Sequence, residues 1–347
     1  MHVRGSLGGF AARFVVWGLI AGFALSVQAQ PPAKKAPFPP QKAPFPPQKS
    51  PVPPQKGTTS ATPKAPVPPA NAKGPKLPAP EDVSLETKDG LKIKATYYPG
   101  TAKKESVPLI LVHGIDGQRG DFHGLALYLQ GLGHASIAPD LRGHGQSKAQ
   151  TGPSGAPITL DGDKLNRGQL EAMVLDIQAC KKFLLDKNNA GELNIEQLCV
   201  VGAEFGAILA VRWAALDWET PSLPAYKLGQ DVKALVLLST PPPYKAVQLR
   251  DVLPVVQTQL SILLVAGTED SKASKEGEKL FKQLQTHHPK TGDDTDLFFE
   301  QPGTNLSGTK LLGSGLNVKE KIGVFIEKRL VNRKADFAWQ DRKGPGK

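Results

Sequence analysis

The first eighty residues of this 347-residue chain contain no Asp or Glu, and the whole chain has only two cysteines, two methionines and 6% aromatic residues. Each shortage excludes something. Arg4, Arg13 and eight lysines (34, 35, 42, 49, 56, 64, 73 and 76) go unanswered before Glu81 and supply +10 of the net charge of +11. The chain from Glu81 onward is therefore nearly neutral, and a basic nucleic-acid-binding face on it has no compositional support. Cys180 and Cys199 permit one disulfide at most. Both fall in apolar patterns, so two buried thiols and one bridge stay open as alternatives. No metal-ligand spacing, phosphate loop or dinucleotide fingerprint occurs, and Gly114-Ile115-Asp116-Gly117 is not a GxGxxG motif. No cofactor is expected.

What is present at the N-terminus is ordered like an export signal. Arg4 and Arg13 precede an apolar run from Phe14 to Val27, which ends in Val27-Gln28-Ala29. A basic region, a hydrophobic region too short to span a bilayer and a small-residue cleavage site predict a signal peptide over 1–29, removed after Ala29. The expected location is secreted, periplasmic or at the cell envelope, with no transmembrane segment once the signal is cleaved. Residues 30–80 hold a heptad repeat, KAPFPPQ from Lys35 and Lys42, KSPVPPQ from Lys49, and KAPVPPA from Lys64. Proline at three of seven positions removes backbone donors and favours polyproline II, so this stretch reads as a linker without a core. It is a stiff spacer or, with one lysine per repeat, a contact strip for the cell-envelope surface.

From Glu81 the pattern becomes that of one folded domain, 81–332, followed by a polar tail, 333–347, expected to fray. About 250 residues suffice for one well-buried core. VSLET and LKIKATYY flank Asp89-Gly90 as a hairpin; LILVH, ASIAP, LCVVG, ALVLLS, SILLVAG and DLFFEQ are apolar runs of strand length. Helical periods alternate with them, which predicts an α/β domain with a mainly parallel sheet. Ligands of such sheets gather beyond the strand carboxyl ends. Five short segments fall there in order: His113-Gly114-Ile115; Asp140-Leu141-Arg142-Gly143-His144-Gly145; Gly202-Ala203-Glu204-Phe205-Gly206; Gly267-Thr268-Glu269-Asp270; and Ser307-Gly308-Thr309.

In that order and spacing the five segments resemble the α/β-hydrolase superfamily, serine aminopeptidase-like members included. The resemblance implies an eight-stranded sheet flanked by helices, a Ser, Asp and His triad, and an oxyanion hole made of the backbone N–H groups of Ile115 and Phe205. It gives His113, Gly114, Asp140, Arg142, Gly143, Gly145, Gly202 and Gly206 loop-shaping roles. About twenty residues separate ALVLLS from SILLVAG, too few for a large cap. The site should be open, closed in part by 150–167 and 218–229.

Two triad positions depart from the family pattern. Glu204 stands where the elbow serine belongs, and Ser307 stands where the histidine belongs. Asp270 keeps the acid position. No histidine follows His288, so no base is in reach after the last strand. A Glu204 ester intermediate would need such a base for its hydrolysis. The expectation is an exported protein that kept the fold, lost catalysis and binds an unknown ligand. A weak hydrolase of esters or peptide-like substrates is the alternative. Glu204 is further expected to fold its carboxylate into the oxyanion hole.

Overall fold

A computed structural model describes residues 77–343, apart from 152–154, 222–226, 289, 292–293 and 314. The expected signal peptide, its cleavage after Ala29 and the proline-rich repeats lie outside the described residues.

Eight strands build one sheet: β1 (Glu81–Glu86), β2 (Lys92–Tyr98), β3 (Pro108–Val112), β4 (Ala135–Pro139), β5 (Leu198–Ala203), β6 (Val232–Leu238), β7 (Ser261–Val265) and β8 (Leu297–Glu300). Their order is β1-β2-β4-β3-β5-β6-β7-β8. Only β2 runs against its neighbours, pairing antiparallel with β1 (Glu81 opposite Tyr97) and with β4 (Ala95 opposite Pro139). The remaining pairs are parallel. The expected hairpin at Asp89-Gly90 and all six apolar runs are strands where the sequence placed them.

The apolar runs are continuous because both sheet faces are covered. Side chains alternate along each strand. Leu109 and Leu111 of β3 join Cys199 and Val201 of β5 on one face, beneath α1 (His123–Gly131) and α5 (Val318–Arg329). Ile110, Val112, Val200, Leu235 and Ile262 line the other face, beneath α2 (Val174–Asn189), α3 (Phe205–Glu219) and α4 (Ser271–His287). This settles the cysteine question. Cys180 of α2 packs on one face and Cys199 of β5 on the other, and both are free buried thiols.

Residues 333–343 do not fray. Asn194 Nδ2 donates to the Phe337 carbonyl at 2.8 Å, and Lys104 lies 3.5 Å from the Trp339 ring centroid. The Arg342 side chain is 5% exposed and meets Glu196 at 2.6 Å and Asp231 at 2.7 Å. Polar composition hid this docking, because ion pairs rather than apolar periodicity hold the segment. The described residues of 218–229 are a second correction. They lie at the far end of α3, where Gln230 N–H bonds the Asp217 carbonyl, at the sheet end opposite the elbow and away from the cleft.

Burial also sets a pH response. His113 and His134 lie in the interior, and desolvation lowers the pKa of each to about 4. Unfolded, each titrates near 6.5, so the unfolded chain binds more protons between those values. Stability contributed by neutral burial is complete above about pH 6.5 and lost as pH falls toward about 4. Urea melts should show roughly 2 kcal/mol lost per histidine by pH 5, and His134→Leu should flatten that slope. A pH-independent urea midpoint would contradict this.

Candidate functional site

The elbow is intact as architecture. Ala203 ends β5, Phe205 begins α3, and Glu204 between them holds φ 51° and ψ −121°. Such a conformation in a non-glycine residue is strained by about 1–3 kcal/mol and persists only where its surroundings impose it. The glycines impose it here. A Cβ on Gly206 would lie 2.2 Å from the Val112 carbonyl oxygen, and one on Gly202 would lie 2.4 Å from the Gly206 carbonyl oxygen. Strand, turn and helix therefore pass at backbone contact, and the Glu204 side chain is carried into the cleft. Replacing Glu204 by glycine should relieve the strain and raise stability by about 1 kcal/mol after the entropy loss of glycine. A urea midpoint lower than wild type would contradict this.

The cleft above the elbow has a volume of about 500 Å³ and is lined by Gly114, Glu204, Ser307, Thr309 and Lys310 with Asp116 and Asp121 on its rim. The structure thus brings together the expected nucleophile position, the oxyanion loop and the expected base position. The half-buried Glu204 carboxylate occupies a slot left by two glycines. A Cβ on Gly114 would lie 2.6 Å from Glu204 Oε2, and one on Gly308 would lie 2.8 Å from Glu204 Cδ. Gly308, at φ 57°, donates its N–H to the buried Ser239 Oγ at 3.0 Å. Ser239 is itself at φ 51°. Sequence reasoning missed it; its only signal was its place directly after the β6 run.

The carboxylate does not enter the oxyanion hole. No hydrogen bond joins Glu204 to the N–H of Ile115 or Phe205, and among the described residues both amides lack an acceptor. The elbow aims the side chain across the cleft toward Gly308, not back onto the start of α3, so the expected self-occupation is corrected. Asp270 stands after β7 but does not line the cleft. Its Oδ1 accepts from the Ala273 N–H at 3.1 Å and caps α4. Its loop is nevertheless tied to the approach to Ser307, through Thr268 N–H to the Pro302 carbonyl and Glu269 N–H to the Thr304 carbonyl.

The loop-shaping residues form a brace beneath the hole. His113 is fully buried; with Nδ1 donating to the Gly114 carbonyl at 2.6 Å, Nε2 accepts from the Leu141 N–H at 3.1 Å. One neutral tautomer satisfies both bonds. Asp140 accepts from the N–H groups of Arg119 and Gln146, at 2.8 and 2.9 Å. The turn beside it passes through Gly143 at φ 79° and Gly145 at φ 46°. Arg142 reaches Asp176 through Nη2 at 2.7 Å and Asp89 through Nη1 at 2.6 Å. Its backbone N–H also donates to Asp176, at 2.8 Å. Of the 150–167 segment, Gly162 packs on this loop, its N–H bonding the Gly143 carbonyl. Among the described residues no group of three His, Cys, Asp or Glu is placed to hold a metal ion, and no helix is long and apolar enough to cross a membrane.

A family model for the alpha/beta hydrolase fold matches residues 107–307, more than half of the chain. Two uncharacterized proteins of Mycobacterium tuberculosis strains are 33% identical over 146 residues, 42% of this chain and 44% of theirs. The matched region thus spans less than half the length of those relatives. Among solved structures, the esterase Pf2001 of Pyrococcus furiosus is 17% identical with a TM-score of 0.51, covering 73% of this chain and 93% of that one. The dienelactone hydrolase of Anabaena variabilis is 18% identical with a TM-score of 0.50, covering 74% and 99%. Identities this low speak for the fold alone. With strand order, elbow and matched span in agreement, this chain belongs to the α/β-hydrolase fold family, as a member whose elbow carries a carboxylate.

Proposed function

We propose that this protein is a binding member of its family that has given up hydrolysis. The observation that carries the reading is the Glu204 carboxylate lodged between Gly114 and Gly308, in the cleft where a serine nucleophile would act. A carboxylate there can attack a substrate carbon, but the ester formed must then be hydrolysed by base-activated water. Ser307 fills the base position, and the last histidine, His288, lies at the other end of the sheet. Asp270 serves as a helix cap. Two free amides, Ile115 and Phe205, remain in the site and suit a ligand with a carbonyl or other acceptor oxygen. The N-terminal signal pattern and proline repeats suit export, with the domain carried on a spacer at the cell envelope.

Native mass spectrometry of the protein purified from its own envelope fraction tests the reading. A co-purifying ligand that Gly308→Val displaces, with the chain found to begin near Gln30, supports an exported binding protein. An intact Met1 on the exported chain contradicts cleavage. A ligand retained by a folded Gly308→Val variant contradicts the cleft as its site.

A further inference from the structure

A second cavity, of about 200 Å³, opens at the sheet end opposite the elbow, lined by Trp218, Lys233, Ser261, His288, Asp296, Arg333 and Phe337 among others. That is room for several waters at about 30 Å³ each. Its charges do not balance in one place. Asp296 is shared by Arg329 at 3.4 Å and Arg333 at 3.5 Å, and it accepts the Ser261 hydroxyl at 2.7 Å. Arg333 also meets Asp336 at 3.1 Å. Lys233 has no carboxylate within ion-pair distance among the described residues. It donates to the Gln230 carbonyl at 2.7 Å and lies 4.8 Å from the Trp218 ring centroid and 5.7 Å from that of Phe337. Burial first, then the neighbouring Lys227, lower its pKa to about 8, against the weaker upward pull of the Glu196, Asp231 and Asp217 carboxylates. No carboxylate among the described residues meets this ammonium directly, which leaves it room for an anionic partner in the cavity.

His288 supplies the second observation. It is 6% exposed, its Nδ1 is engaged with the Gln257 carbonyl at 2.7 Å, and its buried Nε2 has no partner among the described residues. Because a carbonyl only accepts, Nδ1 carries a proton, and in the singly protonated ring Nε2 is a bare acceptor. A ligand satisfying both groups needs a negative oxygen for Lys233 and a donor for His288. We propose that this cavity binds a small oxyanion bearing a hydroxyl of its own, the chemistry of hydrogen phosphate, with the anionic oxygen on Lys233 and the hydroxyl donating to His288 Nε2. Trp218 and Phe337 give the cavity apolar walls beside Lys233.

Calorimetric titration of the full chain with inorganic phosphate at pH 7 tests the site. Binding at one site is expected, with sulfate, which has no proton to donate at that pH, at least ~5-fold weaker. Lys233→Met should weaken phosphate by at least ~10-fold. Absence of phosphate binding, sulfate binding as tight as phosphate, or a folded Lys233→Met variant that binds like wild type would each overturn the proposal. Should that variant fail to fold, the ¹⁵N resonance of His288 Nε2 in the wild-type chain decides. It should move on phosphate addition, and an unmoved resonance contradicts the site.

Discussion

The double variant Glu204→Ser/Ser307→His should hydrolyse an activated short-chain ester at least ~10-fold faster than either single variant. A serine placed at the elbow would inherit the φ of 51° and ψ of −121° that Glu204 now holds. Those angles point its hydroxyl into the cleft, beside two amides that have no acceptor among the described residues. Alone it would stay near background, because a serine hydroxyl needs a base to lose its proton at neutral pH. An imidazole in place of the Ser307 side chain would enter the same cleft, since both positions line it. Alone it would face the Glu204 carboxylate with no nucleophile to activate. Together they restore nucleophile and base, and Asp270, one bonded loop away, would have to leave its helix cap to orient the new imidazole. Groups acting as a unit are strongly non-additive. A folded double variant no faster than the singles would show that Asp270, held as a cap by Ala273, does not reach the new imidazole.

Asp176→Asn should lower stability by about 3–5 kcal/mol, because it leaves a buried guanidinium short of its main counter-charge. Asp176 is fully buried; it accepts Arg142 Nε at 3.0 Å and Nη2 at 2.7 Å, while Asp89, on the other side, is partly exposed. For a domain of this size the melting temperature should fall by roughly 10 °C. Arg142→Met/Asp176→Leu should fall by less than Asp176→Asn, since removing both charges leaves none uncompensated. The loss should reach the cleft as well. Arg142 follows Leu141, whose N–H holds His113, and His113 in turn holds the Gly114 carbonyl of the oxyanion loop. A melting temperature within about 2 °C of wild type would contradict this reading of the buried pair, as the smallest shift expected per kcal/mol is of that size.

The strands were legible in sequence because burial on two faces writes itself as an unbroken apolar run, as in LILVH and SILLVAG. The elbow was legible because a strand meeting a helix at backbone contact demands glycine at 202 and 206. The direction of one side chain is not written that way. Nothing in Gly-Ala-Glu-Phe-Gly says whether the carboxylate turns back onto the amides or across to Gly308. The missing Cβ atoms of Gly114 and Gly308, remote from it in sequence, decided it. Long-range ion pairs were equally silent. The sequence carried no sign of the partner of Asp176, and Arg342 fell in a tail expected to fray; the fold brings each to its partner. Asp270 was placed correctly after β7, but its bond to the Ala273 N–H marks it as a cap, a use its position alone did not reveal.

The measurement closest to the central claim is hydrolysis of an activated ester by the wild-type chain beside Glu204→Ala. An intact elbow with lost chemistry predicts that both proteins run at the uncatalysed rate. Wild-type turnover that Glu204→Ala abolishes would make Glu204 the nucleophile and contradict the account.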